Sequence, residues 1–340
     1  MPASFTAFAR LASIRRQPAT SGQHSGIGLC GIWEGGNRWV LGICGVRQWG
    51  SPAPATLEDN FRIGAVTKIV TSAIAARLVH EGVVNWEMKF MDAFPEWEAD
   101  CHRAYRSQTL NSLLRFRNWL PPFGYFTPMN EQFDGDAQAQ RMAFANWAIR
   151  QAPQHLGKRH NSSNLSYVLA GALLERASGR TMESLFLEFA HDLSIQVGFG
   201  QPNVEDAQGL RGHDSHLQPD QMKANERLNW LMAAGNLYMR PKDLAICLQA
   251  FLNRRIPGLD ERAFELLLSG TDPLEMGWTV TIDSHQHRIA TALGNPGTFL
   301  CRIALDLTDN RGSLVMANCL HGRAERGTEA MLQALLAYRK

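Results

Sequence analysis

Hydrophobic residues recur along this chain with two different periods. Ile27 to Trp33 and Arg38 to Val46 read as β-strands, joined as a hairpin by the turn Glu34-Gly-Gly-Asn37. A Ser51-Pro-Ala-Pro54 loop follows, and then the period changes. Val66, Ile69, Val70, Ile74, Leu78 and Val79 recur at helical spacing, which predicts a helix from Ala65 to Glu81 stopped by Gly82. From Trp86 to Pro257 the pattern is mostly helical, with polar connections over 127–140 and 200–226. Strand periods return at Arg288–Leu293, Phe299–Leu307 and Ser313–Asn318, before a closing helix over Glu325–Tyr338. Two early strands and three late ones complete one sheet only if the chain ends meet. The expected class is therefore α/β (α+β): a five-stranded antiparallel sheet flanked by helices, plus a large helical insert. Residues 1–62 and 260–340 are expected to form the sheet domain and 63–259 the helical one, with a cleft between them.

Composition narrows the function classes. At 340 residues the chain can bury a large core, and 45% hydrophobic against 19% charged residues is an ordinary globular mix. The formal net charge of +2 gives no reason to expect nucleic acid or a polybasic membrane anchor. No apolar run approaches a membrane span. Residues 1–33 lack acids and carry Arg10, Arg15 and Arg16, so a transit peptide and an amphipathic first helix using Phe5, Phe8, Ala9 and Ala12 both fit, and the helix is preferred. The six cysteines, Cys30, Cys44, Cys101, Cys247, Cys301 and Cys319, form no disulfide framework, which suits a reducing, cytoplasmic setting. No cofactor or metal is expected. His285-x-His287 would share a strand face and is a weak metal signal beside the reading as a polar face.

Particular residues carry more chemistry. Phe61-Arg-Ile-Gly-Ala-Val-Thr-Lys68 resembles the S-x-x-K motif of serine β-lactamases, penicillin-binding proteins and class C-like esterases, with Ala65 where the acylating serine would stand. Further segments of the resemblance follow in order: Leu78-Val-His-Glu-Gly82, Thr109-Leu-Asn-Ser-Leu-Leu114, Ser162-Ser-Asn-Leu-Ser-Tyr-Val-Leu-Ala-Gly171, Glu175-Arg-Ala-Ser-Gly179 and Ala233-Ala-Gly-Asn-Leu-Tyr-Met-Arg-Pro-Lys-Asp-Leu244. Together they imply a β-lactamase/transpeptidase-like fold over residues 20–338.

The resemblance also implies site residues. Lys68 would be the activating lysine, and Ser162 and Asn164 would form the second motif, with the hydroxyl relaying a proton and the amide binding the lysine and a substrate amide. The bland alternative is a polar loop before a helix. The third motif falls at Ala292-Leu293-Gly294, without its cation or imidazole. The oxyanion donors would be the backbone N–H groups of Ala65 and Asn295. Where relatives carry a hydroxyl-rich loop, this chain reads Arg115-Phe-Arg-Asn-Trp-Leu-Pro121 and then Pro122-Phe-Gly-Tyr-Phe126. Arg115, Arg117, Asn118, Trp119 and Tyr125 are therefore candidate contacts to a carboxylate or planar ligand, with Gly294 letting the backbone approach. Packing of the aromatics and solvation of the arginines is the alternative.

Three functions remain open on this reading. The chain is a repurposed enzyme doing non-covalent acid–base chemistry on a small carbonyl or carboxylate compound, with Lys68 as base. Or it is a binding protein without turnover. Or Ala65 is an engineered knockout of an ordinary serine hydrolase, which the additional loss at Ala292 argues against.

Overall fold

The computed structural model describes residues 28–337 apart from 34–38, 126, 155–161, 203, 205, 222–225 and 270–273. The expected first helix, the turn at 34–37 and Phe126 lie outside the described residues.

The strands are β1 (Gly28–Trp33), β2 (Trp39–Cys44), β3 (Phe61–Arg62), β4 (Gly198–Phe199), β5 (Leu237–Met239), β6 (Thr279–Ile282), β7 (Arg288–Gly294), β8 (Leu300–Asp306) and β9 (Arg311–Ala317). The main sheet runs β2-β1-β9-β8-β7-β6, with every pairing antiparallel. The two ends of the chain do meet: β1 pairs with β9, Leu29 opposite Met316 and Trp33 opposite Gly312. The sheet has six strands among the described residues, not the five expected. The extra strand is β6, a four-residue edge strand whose Ile282 is exposed, so no buried alternation marks it in the sequence. A second small sheet, β3-β5-β4, joins residue 61 to residue 239.

The helices used below are α1 (Thr67–His80), α2 (Leu110–Leu114), α3 (Ala137–Ala148), α4 (Asn164–Ser178), α5 (Met182–Asp192), α6 (Met232–Gly235), α7 (Pro241–Leu252), α8 (Glu261–Leu268) and α9 (Gly322–Ala337). The predicted helix over 65–81 divides into a 3₁₀ turn, Gly64–Val66, and then α1. Side chains on β7–β9 alternate between two layers, as a strand's period of two requires. Ala290, Cys301, Ile303, Leu305, Leu314 and Met316 join the main core, while Ile289, Ala304 and Val315 pack with Leu332 and Leu335 of α9. α7 lies against β9 and β1, and the main core continues into the helices around α1. In α1 only Arg77, Val79 and His80 escape burial, so it is a central helix packed on nearly every side. No helix among the described residues is long and apolar enough to cross a membrane.

Candidate active site

A cavity of about 420 Å³ opens where the start of α1, the start of α4 and the end of β7 converge, and Ala65, Lys68, Ser162, Asn164 and Ala292 all line it. The convergence depends on three glycines. Gly64 has φ +52, and a Cβ there would come within 2.8 Å of Pro296 Cδ and 3.1 Å of Asn295 N. A Cβ on Gly294 would overlap Ile63 O at 1.8 Å and lie 3.3 Å from Ala65 N. These two contacts seat the end of β7 directly on the turn that carries Ala65. Gly277, at φ +85, lies against α1, where a Cβ would sit 2.7 Å from Ile69 N and 2.8 Å from Lys68 C.

Lys68 is buried at 5% exposure. Its Nζ donates to Asn164 Oδ1 at 2.7 Å and to the Ala234 carbonyl at 2.8 Å, and stands 5.5 Å from the centre of the Tyr167 ring. Burial penalises the ammonium and pushes its pKa down to about 7. Asn164 is fixed in turn, because its Nδ2 donates to the Phe123 carbonyl at 2.6 Å. The neighbouring hydroxyls divide their work. Ser163 Oγ caps α4 by accepting from Leu165 N and donates to Pro121 O, while Ser162 is exposed at the cavity wall. Thr71 Oγ1 donates to Ala233 O at 2.8 Å, which ties α6 to α1 beside the lysine.

The 115–125 segment is used differently from the expectation. Arg115 Nη1 and Arg117 Nη2 both donate to Glu275, a carboxylate with 4% of its side chain exposed, so the chain supplies its own anion to the expected ligand arginines. Neither arginine lines the cavity, whereas Phe116 between them does. Asn118 is buried, donating to Ser166 Oγ at 2.6 Å and accepting from Leu120 N. Trp119 is 39% exposed, away from the cavity lining. Tyr125 donates its hydroxyl to Gly235 O at 2.5 Å beneath the Arg62 guanidinium, and burial raises its pKa. Gly294 and Asn295 lie behind the lining, against the Gly64 turn, and Asn295 Oδ1 accepts from Gly297 N.

The histidines stand apart, in and beside the β6–β7 turn at the far end of that hairpin. His285 N and His287 N donate to Asp283, and His287 Nδ1 lies 2.8 Å from Asp306 Oδ2. His287, Asp306 and Asp309 bring their ligand atoms within 4.8 Å of one another, a set that could hold a cation. However, Asp306 Oδ1 already accepts from Thr308 N and Asp309 N, so the arrangement also serves as a capped turn.

Comparison with known proteins matches this geometry to a family. The Beta-lactamase family model matches residues 11–338. The chain belongs to the beta-lactamase family. Its architecture is the family's β-lactamase/transpeptidase-like fold, shared with solved structures at low identity. The D-amino acid amidase from Ochrobactrum anthropi SV3, complexed with L-phenylalanine amide, is 19% identical over 97% of this chain and 96% of its own, with a TM-score of 0.76. A class C β-lactamase from Rhodobacter sphaeroides is 16% identical over 98% of both chains, with a TM-score of 0.73. SurE with D-Leu is 19% identical over 97% of this chain and 74% of its own, with a TM-score of 0.72. No curated protein sequence matches the chain.

Within this family member, several lining residues escaped the sequence reading: Leu274, Gly277, Thr279, Thr291, Arg302 and Glu329. Arg302 left a signal, since it interrupts an apolar strand between Cys301 and Ile303. The Ala234 carbonyl left none, because a backbone acceptor has no side-chain signature.

Proposed function

We propose that this protein uses the cleft for non-covalent acid–base chemistry on a small carbonyl or carboxylate compound, with Lys68 as the base. One observation carries the reading: among the described residues, two acceptors meet Lys68 Nζ, as many as the protons on its neutral form. A neutral amine has two N–H groups, and Asn164 Oδ1 and Ala234 O take one each. Its lone pair is then free to accept a proton in the cavity, where Ala65 contributes only a methyl group. A pKa of about 7 keeps a large fraction of that amine neutral near physiological pH.

In the proposed step, Lys68 removes a proton from carbon next to the substrate carbonyl, and the backbone N–H group of Ala65, which lines the cavity, holds the developing oxyanion. Ser162 exchanges protons with solvent at the cavity wall. Acylation has no oxygen at position 65 to proceed through. The amidase with L-phenylalanine amide and SurE with D-Leu suggest the ligand class, an amino-acid-sized carbonyl compound. The proposal also takes 63–259 as a helical domain against a sheet domain of 1–62 and 260–340. It places the protein in the cytoplasm, on the free cysteines Cys101, Cys247, Cys301 and Cys319.

The test is a pair of variants assayed on amino-acid amides, esters and their α-keto counterparts. Lys68→Ala should lower turnover by about 10²–10⁴-fold, the range of a lost general base, while Ala65→Ser should not raise it. The rate should rise with pH through about 7, as the ammonium gives up its proton. Hydrolysis restored by Ala65→Ser would sink the reading in favour of a disabled serine hydrolase. A second reading, binding without turnover, rests on Ala292, which leaves the third motif with no cation or imidazole. Ligand-induced stabilisation with no product from any substrate would establish it instead.

A further inference from the structure

Glu275 has no place in the chemistry above, yet it is a buried carboxylate beside the cavity, and a buried ion pair is weak evidence of a stabilising role. Its two arginines come from the segment after α2, where Arg115 Nε is itself held by Asn111 Oδ1 at 2.8 Å. Its backbone closes a tight turn: Glu275 N donates to Trp278 O and Trp278 N to Glu275 O, both at 2.8 Å. Inside that turn Met276 and Gly277 have φ of +52 and +85, and Met276 N donates to Leu114 O at 3.1 Å. Leu114 O also accepts from the Tyr167 hydroxyl, whose ring faces Lys68 Nζ. The turn therefore ends in Gly277 pressed on the Lys68–Ile69 backbone, and Leu274 and Gly277 form part of the cavity wall.

We propose that Glu275 is a positioning residue: clamped by Arg115 and Arg117, it holds the 274–278 turn over the start of α1 and keeps water from Lys68. The catalytic consequence rests on the reading of Lys68 as base, but the positioning itself does not. The groups around the lysine nitrogen allow a sign test. Tyr167 from α4 faces it, the paired Arg302 and Glu329 line the same cavity, Asn164 and the Ala234 carbonyl from α6 are neutral, and burial is what lowers its pKa. The charged trio Arg115, Glu275 and Arg117 lies outside the lining. Removing the Glu275 charge by electrostatics alone leaves two arginines nearby and moves the Lys68 midpoint to lower pH. Opening the wall hydrates the ammonium and moves it to higher pH.

The experiment needs no substrate. The intact protein is labelled competitively with a trace amine acylating reagent across pH 5–10, and the fraction acylated at Lys68 is read by peptide mass spectrometry. Glu275→Gln should raise the Lys68 midpoint by about one pH unit or more. Arg117→Lys, which keeps the charge but removes the half-exposed guanidinium arm, should raise it by less and decides the matter if Glu275→Gln does not fold. A midpoint unmoved or lowered in the folded variants overturns the proposal, even if Lys68 proves to be the base. Conversely, activity that survives Lys68→Ala sinks the base and leaves the labelling result standing.

Discussion

The two walls of the cavity are built in opposite ways. The helical wall is closed: Lys68 bonds Asn164 and the Ala234 carbonyl, and Asn164, Ser163 and Thr71 each donate to a backbone carbonyl beside them. The strand wall is open. β6 ends at the Thr279–Thr291 pair, so residues 292–294 face no strand on that side among the described residues, and Leu293 is 47% exposed. A closed wall fixes proton-transfer geometry, and an open strand edge leaves ligand contacts free to vary. Under the proposed function, the contrast separates the part that sets the chemistry from the part that selects its substrate.

Three substitutions sharpen or break this contrast. The largest effect is expected where the walls join. Gly294→Ala puts a methyl into the Ile63 carbonyl and should cost about 3–4 kcal/mol, the upper range for overpacking with a backbone shift. Chemical denaturation measures it, and a loss below about 1 kcal/mol would mean the junction is loose. Within the closed wall, Asn164→Ala strips one acceptor from Lys68 and the donor from Phe123 O, for about 2 kcal/mol of lost stability. On the open strand wall Leu293→Thr should change stability by less than about 0.5 kcal/mol. Equal costs for these last two would erase the distinction between the walls.

The lysine also gives the closed wall a pH signature. Between its folded value of about 7 and the ordinary lysine value of 10.5, the unfolded chain holds a proton that the folded chain does not. Stability contributed by this site therefore rises with pH across that window and falls as pH drops toward 7. Lys68→Met should flatten that slope in denaturation midpoints measured between pH 7 and 10.

Legibility followed the kind of force at work. The strands around β8 and β9 and the helix α1 could be read because a buried face imposes a period on the sequence. Lys68, Ser162 and Asn164 could be gathered from the chain alone because their motif spacing carries the chemistry, and all three line the cavity. β6 could not, since an exposed edge strand needs no alternation. Arg115 and Arg117 looked like ligand contacts because a guanidinium's sequence neighbours do not reveal its partner. That partner, Glu275, is 160 residues from Arg115 and 158 from Arg117.

The sequence by itself determined the order of elements, the family cleft and the presence of a lysine beside an alanine, because period and motif are local properties of the chain. Only the tertiary structure decided which atoms meet that lysine. The Ala234 carbonyl, the Gly277 turn and the Arg115–Glu275–Arg117 clamp are brought to it by burial and backbone contact between segments more than a hundred residues apart, and such contacts leave no pattern in a sequence.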